Sequence, residues 1–161
     1  MITFNPIGVI HSPHKEREGA PIQSAAASEF EGKIEILPQY KEALNDLDGF
    51  ERIILLYHFH LSDGYNLKVK PFLDNVKRGL FATRAPRRPN QIGISIVKLL
   101  KVEDNTIYIK GVDVVNGTPL IDIKPYVPIF DAFVNSKSGW FDNIDNNVAA
   151  VRADKRFVDE M

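Results

Sequence analysis

Cysteine is absent from this 161-residue chain. That excludes a disulfide framework, a thiol nucleophile and any zinc site built on thiolates. No apolar run approaches the roughly 18 residues that a membrane-spanning helix needs. The opening Met1-Ile-Thr-Phe-Asn-Pro6 lacks the basic-then-apolar layout of a secretory signal, so a cytoplasmic protein is expected. Phosphate loops of the Gly-x-Gly-x-x-Gly and Walker types are missing, as is the Gly-x-Ser-x-Gly elbow of serine hydrolases. Strands and helices do not alternate as a doubly wound nucleotide-binding sheet would require. There is no internal repeat and no low-complexity tract.

What remains is an ordinary domain's composition, 44% hydrophobic and 25% charged, at a length that suits one domain with a short appendage. The net charge of −1 conceals an asymmetry. Between Asn66 and Lys101 nine lysines and arginines face Asp74 alone, whereas the rest of the chain has eleven basic and twenty acidic residues. One basic segment in a nearly neutral protein implies a local anionic partner rather than a general affinity for polyanions. The segment centres on Gly79–Gly93, where Arg84, Arg87 and Arg88 lie among Pro86, Pro89 and Asn90. Arginine keeps its charge at any working pH and presents a planar fork of donors to carboxylate or phosphate. The prolines stiffen the loop that carries it.

Alternation and β-branched residues predict strands over Thr3–His11, Gly32–Leu37, Arg52–Leu61, Leu67–Val69, Gly79–Thr83, Ile92–Val102, Thr106–Val114 and Leu120–Ile123. A long polar loop spans Ser12–Ser28, and Pro38 starts a short helix reaching about Leu47. Asn116-Gly117 is a strong turn signal. Phe130, Phe133, Trp140 and Phe141 read as an aromatic flap or docking segment, and Asn143–Glu160 as a terminal helix. The fold expected is mainly β: a barrel-like core over residues 1–126 with small helical additions, and a helical or irregular extension over 127–161.

His58 and His60, two apart on the predicted strand Arg52–Leu61, would share a face, but no third ligand stands nearby, so no metal site is assigned. Asp113, Asn116, Asp122 and Lys124 cluster around a glycine-containing turn. Extended backbone puts Asp122 and Lys124 on one face, the makings of a site wall.

Four ordered stretches then carry a resemblance. Gly8-Val-Ile-His-Ser-Pro-His-Lys15, Gly79-Leu-Phe-Ala-Thr-Arg84, Arg88-Pro-Asn-Gln-Ile-Gly93 and Asn116-Gly-Thr-Pro-Leu-Ile-Asp-Ile-Lys-Pro-Tyr126 together resemble the TsaA-like, or TrmO, family of tRNA methyltransferases, from about Ile7 to Tyr126. The resemblance implies a single-sheet β-barrel enzyme that uses S-adenosyl-L-methionine and acts as a homodimer with its site near the subunit boundary. The implied reaction is methylation of N6 of threonylcarbamoyl-adenosine at position 37 of tRNA, beside the anticodon. The family's cofactor contacts fall on Pro21, Ile22 and Gln23, on His60 and Leu61, on Arg84 and Ile94, and on Asn116, Gly117, Thr118 and Pro119. Asn116 stands where bacterial members commonly have Asp. The additional C-terminal domain of some bacterial members has no counterpart in this reading.

On that resemblance, Arg84 is expected to pair with a carboxylate or phosphate, with Leu61 and Ile94 against the adenine ring. Asp122 is the expected base, with Lys124 or Tyr126 orienting the substrate carboxylate. RNA contacts are expected from Lys68, Lys70, Lys77, Arg78, Arg87 and Arg88. A methyltransferase with a small carboxylated acceptor, and a non-catalytic RNA- or nucleotide-binding barrel, stay open beside this reading.

Overall fold

The computed structural model describes residues 1–22 and 27–144. Six antiparallel strands close into a barrel in the order β1-β2-β7-β6-β3-β8, with β1 Gly8–His11, β2 Glu31–Ile36, β3 Arg52–His58, β6 Ile92–Glu103, β7 Thr106–Lys110 and β8 Thr118–Pro125. A separate two-stranded ribbon, β4 Lys68–Val69 and β5 Arg78–Gly79, lies in the long connection between β3 and β6. The mainly β expectation therefore holds. A four-residue helix α1, Pro128–Asp131, follows β8.

Period-two burial builds the core. Along β6, Gly93, Ser95, Val97 and Leu99 point inward while Ile94, Ile96 and Lys98 face out. Ile10, Ile34, Ile53, Leu55, Ile107, Ile109 and Leu120 fill the interior with essentially no exposure. Burying one such side chain contributes about 1.5–3 kcal/mol relative to leaving it in water. A smaller cluster of Val69, Leu80 and Ala85, with Phe72 against it, gives the β4–β5 region its own core beside the barrel.

Several predicted elements are shorter or different. The opening strand begins at Gly8 rather than Thr3, and the hairpin's second arm stops at Lys110 because Gly111 turns the chain at φ 90°. Pro38–Leu44 is a 3-10 rather than an α-helical segment. Arg52–Leu61 is a strand only to His58; the chain then turns, with the Ser62 amide donating to the Phe59 carbonyl at 2.9 Å. His58 and His60 consequently do not share a strand face. Gly79–Thr83 is a strand only at its start and becomes a 3-10 turn over Leu80–Ala82, closed by the Thr83 hydroxyl on the Leu80 carbonyl at 2.8 Å. Asn116-Gly117 does form a turn, with Gly117 at φ 83°. Of the predicted terminal helix, Asn143 ends a 3-10 segment that starts at Gly139, and the helix from 145 onward lies outside the described residues.

One irregularity decides the layout of β8. Its pairing with β3 shifts between Leu56 and Tyr57, which face Asp122 and Leu120 respectively, so Ile121 is an extra residue. A bulge of this kind reverses the in–out alternation beyond it. Thr118 and Leu120 therefore face the interior, whereas Asp122 and Lys124 stand outside the barrel beside Leu56 and Ile54.

Gly93 pairs with Tyr57 across β3–β6 and leaves room for its ring. A Cβ on Gly93 would lie 2.6 Å from Tyr57 Cζ and 2.8 Å from Phe59 Cζ, closer than real contacts allow. Gly93→Ala should destabilise the protein by about 1–3 kcal/mol through overpacking, read as a lower denaturant midpoint at unchanged slope.

Candidate active site

A cleft of ≈ 750 Å³ opens where the ends of β3 and β6 meet the β4–β5 region and the segment before β8. That volume is within the range of small-molecule sites. Its floor is a hydrogen-bonded chain. Ser95 Oγ donates to Asp113 Oδ1 at 2.6 Å, and Tyr57 Oη lies 3.0 Å from Ser95 Oγ. Because the Ser95 proton is given to Asp113, the Tyr57 hydroxyl is the donor to Ser95. Tyr57 is 4% and Ser95 3% exposed, while Asp113, deep in the protein, keeps part of its surface open to the cleft. Burial pushes the Asp113 carboxyl up to about 6, against the downward pull of the Ser95 hydrogen bond and the Arg84 charge. Burial, then the neighbouring Asp113, raises Tyr57 as well, so it stays protonated.

The segment carrying Asp113 has no strand of its own and is held from the far end of the chain. Ser12 Oγ donates to the Val114 carbonyl at 2.6 Å, and His14 Nε2 donates to the Val112 carbonyl at 2.9 Å. The two bonds bracket Asp113. Asn116 closes the arrangement: its Oδ1 accepts from the Ser12 amide at 3.1 Å and its own amide donates to the His14 carbonyl at 2.7 Å. The side-chain contact needs only an acceptor oxygen, which Asp would supply equally. The Gly8–Lys15 motif and the Asn116 turn are thus one clamp.

Charge on the walls is one-sided. Arg17, Arg84 and Arg88 line the cleft, with Asp113 the only acidic residue among the described residues that line it. Arg17 donates to Ser62 Oγ at 3.2 Å; burial and the nearby Arg87 lower its pKa. Arg88 donates to the Thr83 carbonyl at 2.9 Å and lies 5.7 Å from the Phe81 ring centre, so it braces the loop as well as charging it. Burial, then His58, lowers the His60 pKa, with Arg17 adding to the effect, so its ring is neutral near pH 7. The rim is aromatic. Trp140 and Phe141 meet edge to face at 5.7 Å, the Trp140 indole N–H donates to the Ala82 carbonyl at 2.7 Å, and the Arg78 guanidinium lies 5.6 Å from the Trp140 ring centre.

Of the residues expected at the cofactor, Pro21, Ile22, His60, Leu61, Arg84, Ile94 and Thr118 line this one cleft. Gln23 lies outside the described residues. Asn116, Gly117 and Pro119 are in the adjoining turn and strand rather than in the lining. Asp122 and Lys124 share a face, as their spacing predicts, and form an ion pair at 2.8 Å. Their face is the barrel exterior, two strands or about 10 Å from Ile94. Asp122 instead borders a second cavity of ≈ 310 Å³ with Tyr40 and Phe50, and the Tyr126 amide donates to the Arg52 carbonyl at 3.1 Å. Lys68, Lys70 and Lys77 are exposed on the β4–β5 region, and Arg78 is paired with Asp74 at 2.7 Å. Arg17 and Tyr57 are cleft residues that no sequence motif singles out, whereas Asp113 belongs to the site wall expected around the Asn116 turn and Trp140 to the aromatic segment. Among the described residues no group of three or more His, Asp or Glu is disposed to hold a metal ion, and no helix is long and apolar enough to cross a membrane.

A closed antiparallel barrel with a cationic, aromatic-rimmed cleft at one end defines a class apart from the doubly wound nucleotide-binding proteins. Residues 9–132 match the tRNA-methyltransferase O N-terminal domain, and the chain belongs to that family. It is 48% identical to a Pyrococcus abyssi protein named as a probable S-adenosyl-L-methionine-binding protein, over 98% of this chain and 85% of that one. It is 36% identical to the tRNA (adenine(37)-N6)-methyltransferase of Rattus norvegicus, over 79% of this chain but 31% of the relative. A crystal structure of TrmO from Pseudomonas aeruginosa superposes with a TM-score of 0.74 at 36% identity, covering 87% of this chain and 62% of that chain. Trp140 and Phe141 lie beyond the matched domain, yet they rim the cleft.

The clamp has a measurable worth. His14→Ala removes the donor to the carbonyl of Val112, a residue that is 1% exposed. The unsatisfied group should cost about 1–3 kcal/mol, seen as a lower midpoint in urea.

Proposed function

We propose that this chain transfers the methyl group of S-adenosyl-L-methionine to N6 of threonylcarbamoyl-adenosine at position 37 of tRNA, in the cytoplasm. Methyl transfer and the cofactor come with the family. The finer acceptor assignment is supported chiefly by the cleft itself, which sets three arginines and an aromatic rim around apolar walls. Bound there, the cofactor supplies a methyl group already activated on a sulfonium. The residues fit it: Leu61 and Ile94 offer apolar surface to an adenine, and Arg84 offers a fork to a carboxylate. The acceptor carries a second carboxylate, for which Arg17 and Arg88 remain. Unpaired bases of an anticodon loop can stack on aromatic side chains and guanidinium planes such as Phe81, Trp140 and Arg88. Arg87, Lys68, Lys70, Lys77 and Arg78 then meet the phosphates on the same side.

The decisive assay incubates the protein and cofactor with tRNA that has or lacks the threonylcarbamoyl group, followed by nucleoside mass measurement. A gain of one methyl on the modified nucleoside alone is expected. Gain on another acceptor only would replace the acceptor assignment, and no cofactor binding in calorimetry would overturn the enzyme reading. Arg84→Ala should weaken cofactor binding. The Arg87→Ala, Arg88→Ala double variant should weaken tRNA binding and flatten its salt dependence.

A homodimer through the outer face of β8–β3–β6 belongs to the same proposal. Ile54, Leu56, Ile94 and Ile96 form an aliphatic strip there, flanked by the Asp122–Lys124 pair, with Ile94 and Ile96 44% and 36% exposed. Contiguous apolar surface on a barrel exterior favours a self-complementary contact. Ile94 belongs both to the strip and to the cleft, so the second copy borders the site. Asp122, Lys124 and Tyr126 are then interface residues, and proton removal falls to a group inside the cleft. Ile96→Lys should convert a dimer to a monomer in light scattering; a wild-type monomer, or an unchanged dimer in the variant, would remove this face from consideration.

A further inference from the structure

We infer that Asp113 is the proton acceptor of the methyl transfer, held in register by the Tyr57–Ser95 hydroxyl chain; the inference rests on the acceptor reading above. N6 of the acceptor keeps one proton, and its lone pair is drawn into the purine and the carbamoyl group. For N6 to attack, the N–H bond must break, with its proton passing to a carboxylate oxygen of Asp113. The pair left on nitrogen forms the bond to the methyl carbon, and the carbon–sulfur pair stays on sulfur as a neutral thioether. One positive and one negative charge enter the step, and all products at the reacting centre are neutral.

Three observations select Asp113. Among the described residues it is the only acidic one lining the cleft. One acceptor position is taken by Ser95 at 2.6 Å, and a carboxylate has about four. The Tyr57-to-Ser95-to-Asp113 chain, at 3.0 and 2.6 Å, directs successive hydroxyl dipoles at the carboxylate and fixes its rotamer. The groups facing Asp113 are Tyr57 from β3, Ser95 from β6 and Arg84 from the arginine loop. None of them is a competing base, since Tyr57 stays protonated and Arg84 is cationic. His60 also lines the cleft, but protonating it would create a cation beside Arg17 and His58. Protonating Asp113 instead removes a charge from a deep site. The Asp113 carboxyl, raised to about 6 by burial, is ionised at pH 7 and yet more basic than a solvated aspartate.

The test is single-turnover methylation of threonylcarbamoyl-modified tRNA by the full chain across pH 5–8, with cofactor affinity measured in parallel. Wild-type rate should rise with pH through a midpoint of about 6 and then level off, because only the ionised carboxyl accepts the proton. Asp113→Asn preserves the acceptor for Ser95 and should lose about 100-fold or more in rate with cofactor affinity little changed. Ser95→Ala removes a bond that favours the ionised form, so its pH midpoint should move upward; Tyr57→Phe should move it the same way by less. These two variants carry the test if Asp113→Asn fails to fold. Asp113→Asn active within about threefold of wild type, or an unmoved midpoint in Ser95→Ala, would overturn the inference. If wild type binds cofactor but methylates no modified tRNA, the acceptor reading fails and takes this inference with it. A methylating wild type beside an equally active Asp113→Asn defeats the inference alone.

Discussion

Closure of the barrel by β1 against β8 is the constraint on which the cleft depends. Only three residue pairs, Gly8 with Leu120, Val9 with Pro119 and Ile10 with Thr118, join these strands, extended by the Ile7 amide on the Leu120 carbonyl at 2.8 Å. They tie parts of the chain more than a hundred residues apart, so closing the seam costs loop-closure entropy that its few pairs must offset. Its side-chain continuation is the clamp of Ser12, His14 and Asn116. Without the seam, the segment from Val112 to Val115 has no ladder to hold it, and the floor of the cleft has no defined position.

The electrostatic design follows from that position. An arginine beside a carboxylate ordinarily holds the carboxyl low, as Arg78 does for Asp74. At Asp113 burial outweighs both the Arg84 charge and the Ser95 hydrogen bond, and the pKa moves the other way. Desolvation penalises the charged form whatever its partner, and it wins where the group sits deep in the fold. The same wall therefore combines permanent cations for anionic ligand groups with one carboxylate whose proton affinity is matched to neutral pH.

The connection between β3 and β6 supplies the other half of the site. Its small core of Val69, Leu80 and Ala85 lets the arginine loop stand as a rigid rim rather than a mobile excursion. Arg88 serves that rim through the Thr83 carbonyl, and Trp140 reaches the adjacent Ala82 carbonyl from beyond the barrel. Basic charge in this region is therefore divided between bracing the loop and facing outward, which a count of lysines and arginines cannot separate.

Strand content, the Asn116-Gly117 turn and several of the residues that line the cleft were legible in the linear pattern. Alternation, β-branching and turn chemistry are local properties, and the four motifs are contiguous. The ends of elements were not: Gly79–Thr83 has strand composition, but Thr83 folds back on Leu80, and Arg52–Leu61 turns after His58. Asp122 shows the limit most clearly. Its spacing from Lys124 put both on one face by local geometry alone, yet which side of the barrel that face occupies depends on one extra residue at Ile121, visible only against β3. Asp113 carries no motif signal beyond its neighbourhood, because its proton affinity comes from depth and from Ser95 and Tyr57 on other strands. Local patterning carries the presence of most strands, the basic loop and the family resemblance. The tertiary structure alone decided which carboxylate faces the cleft, since burial and register are set by partners far away along the chain.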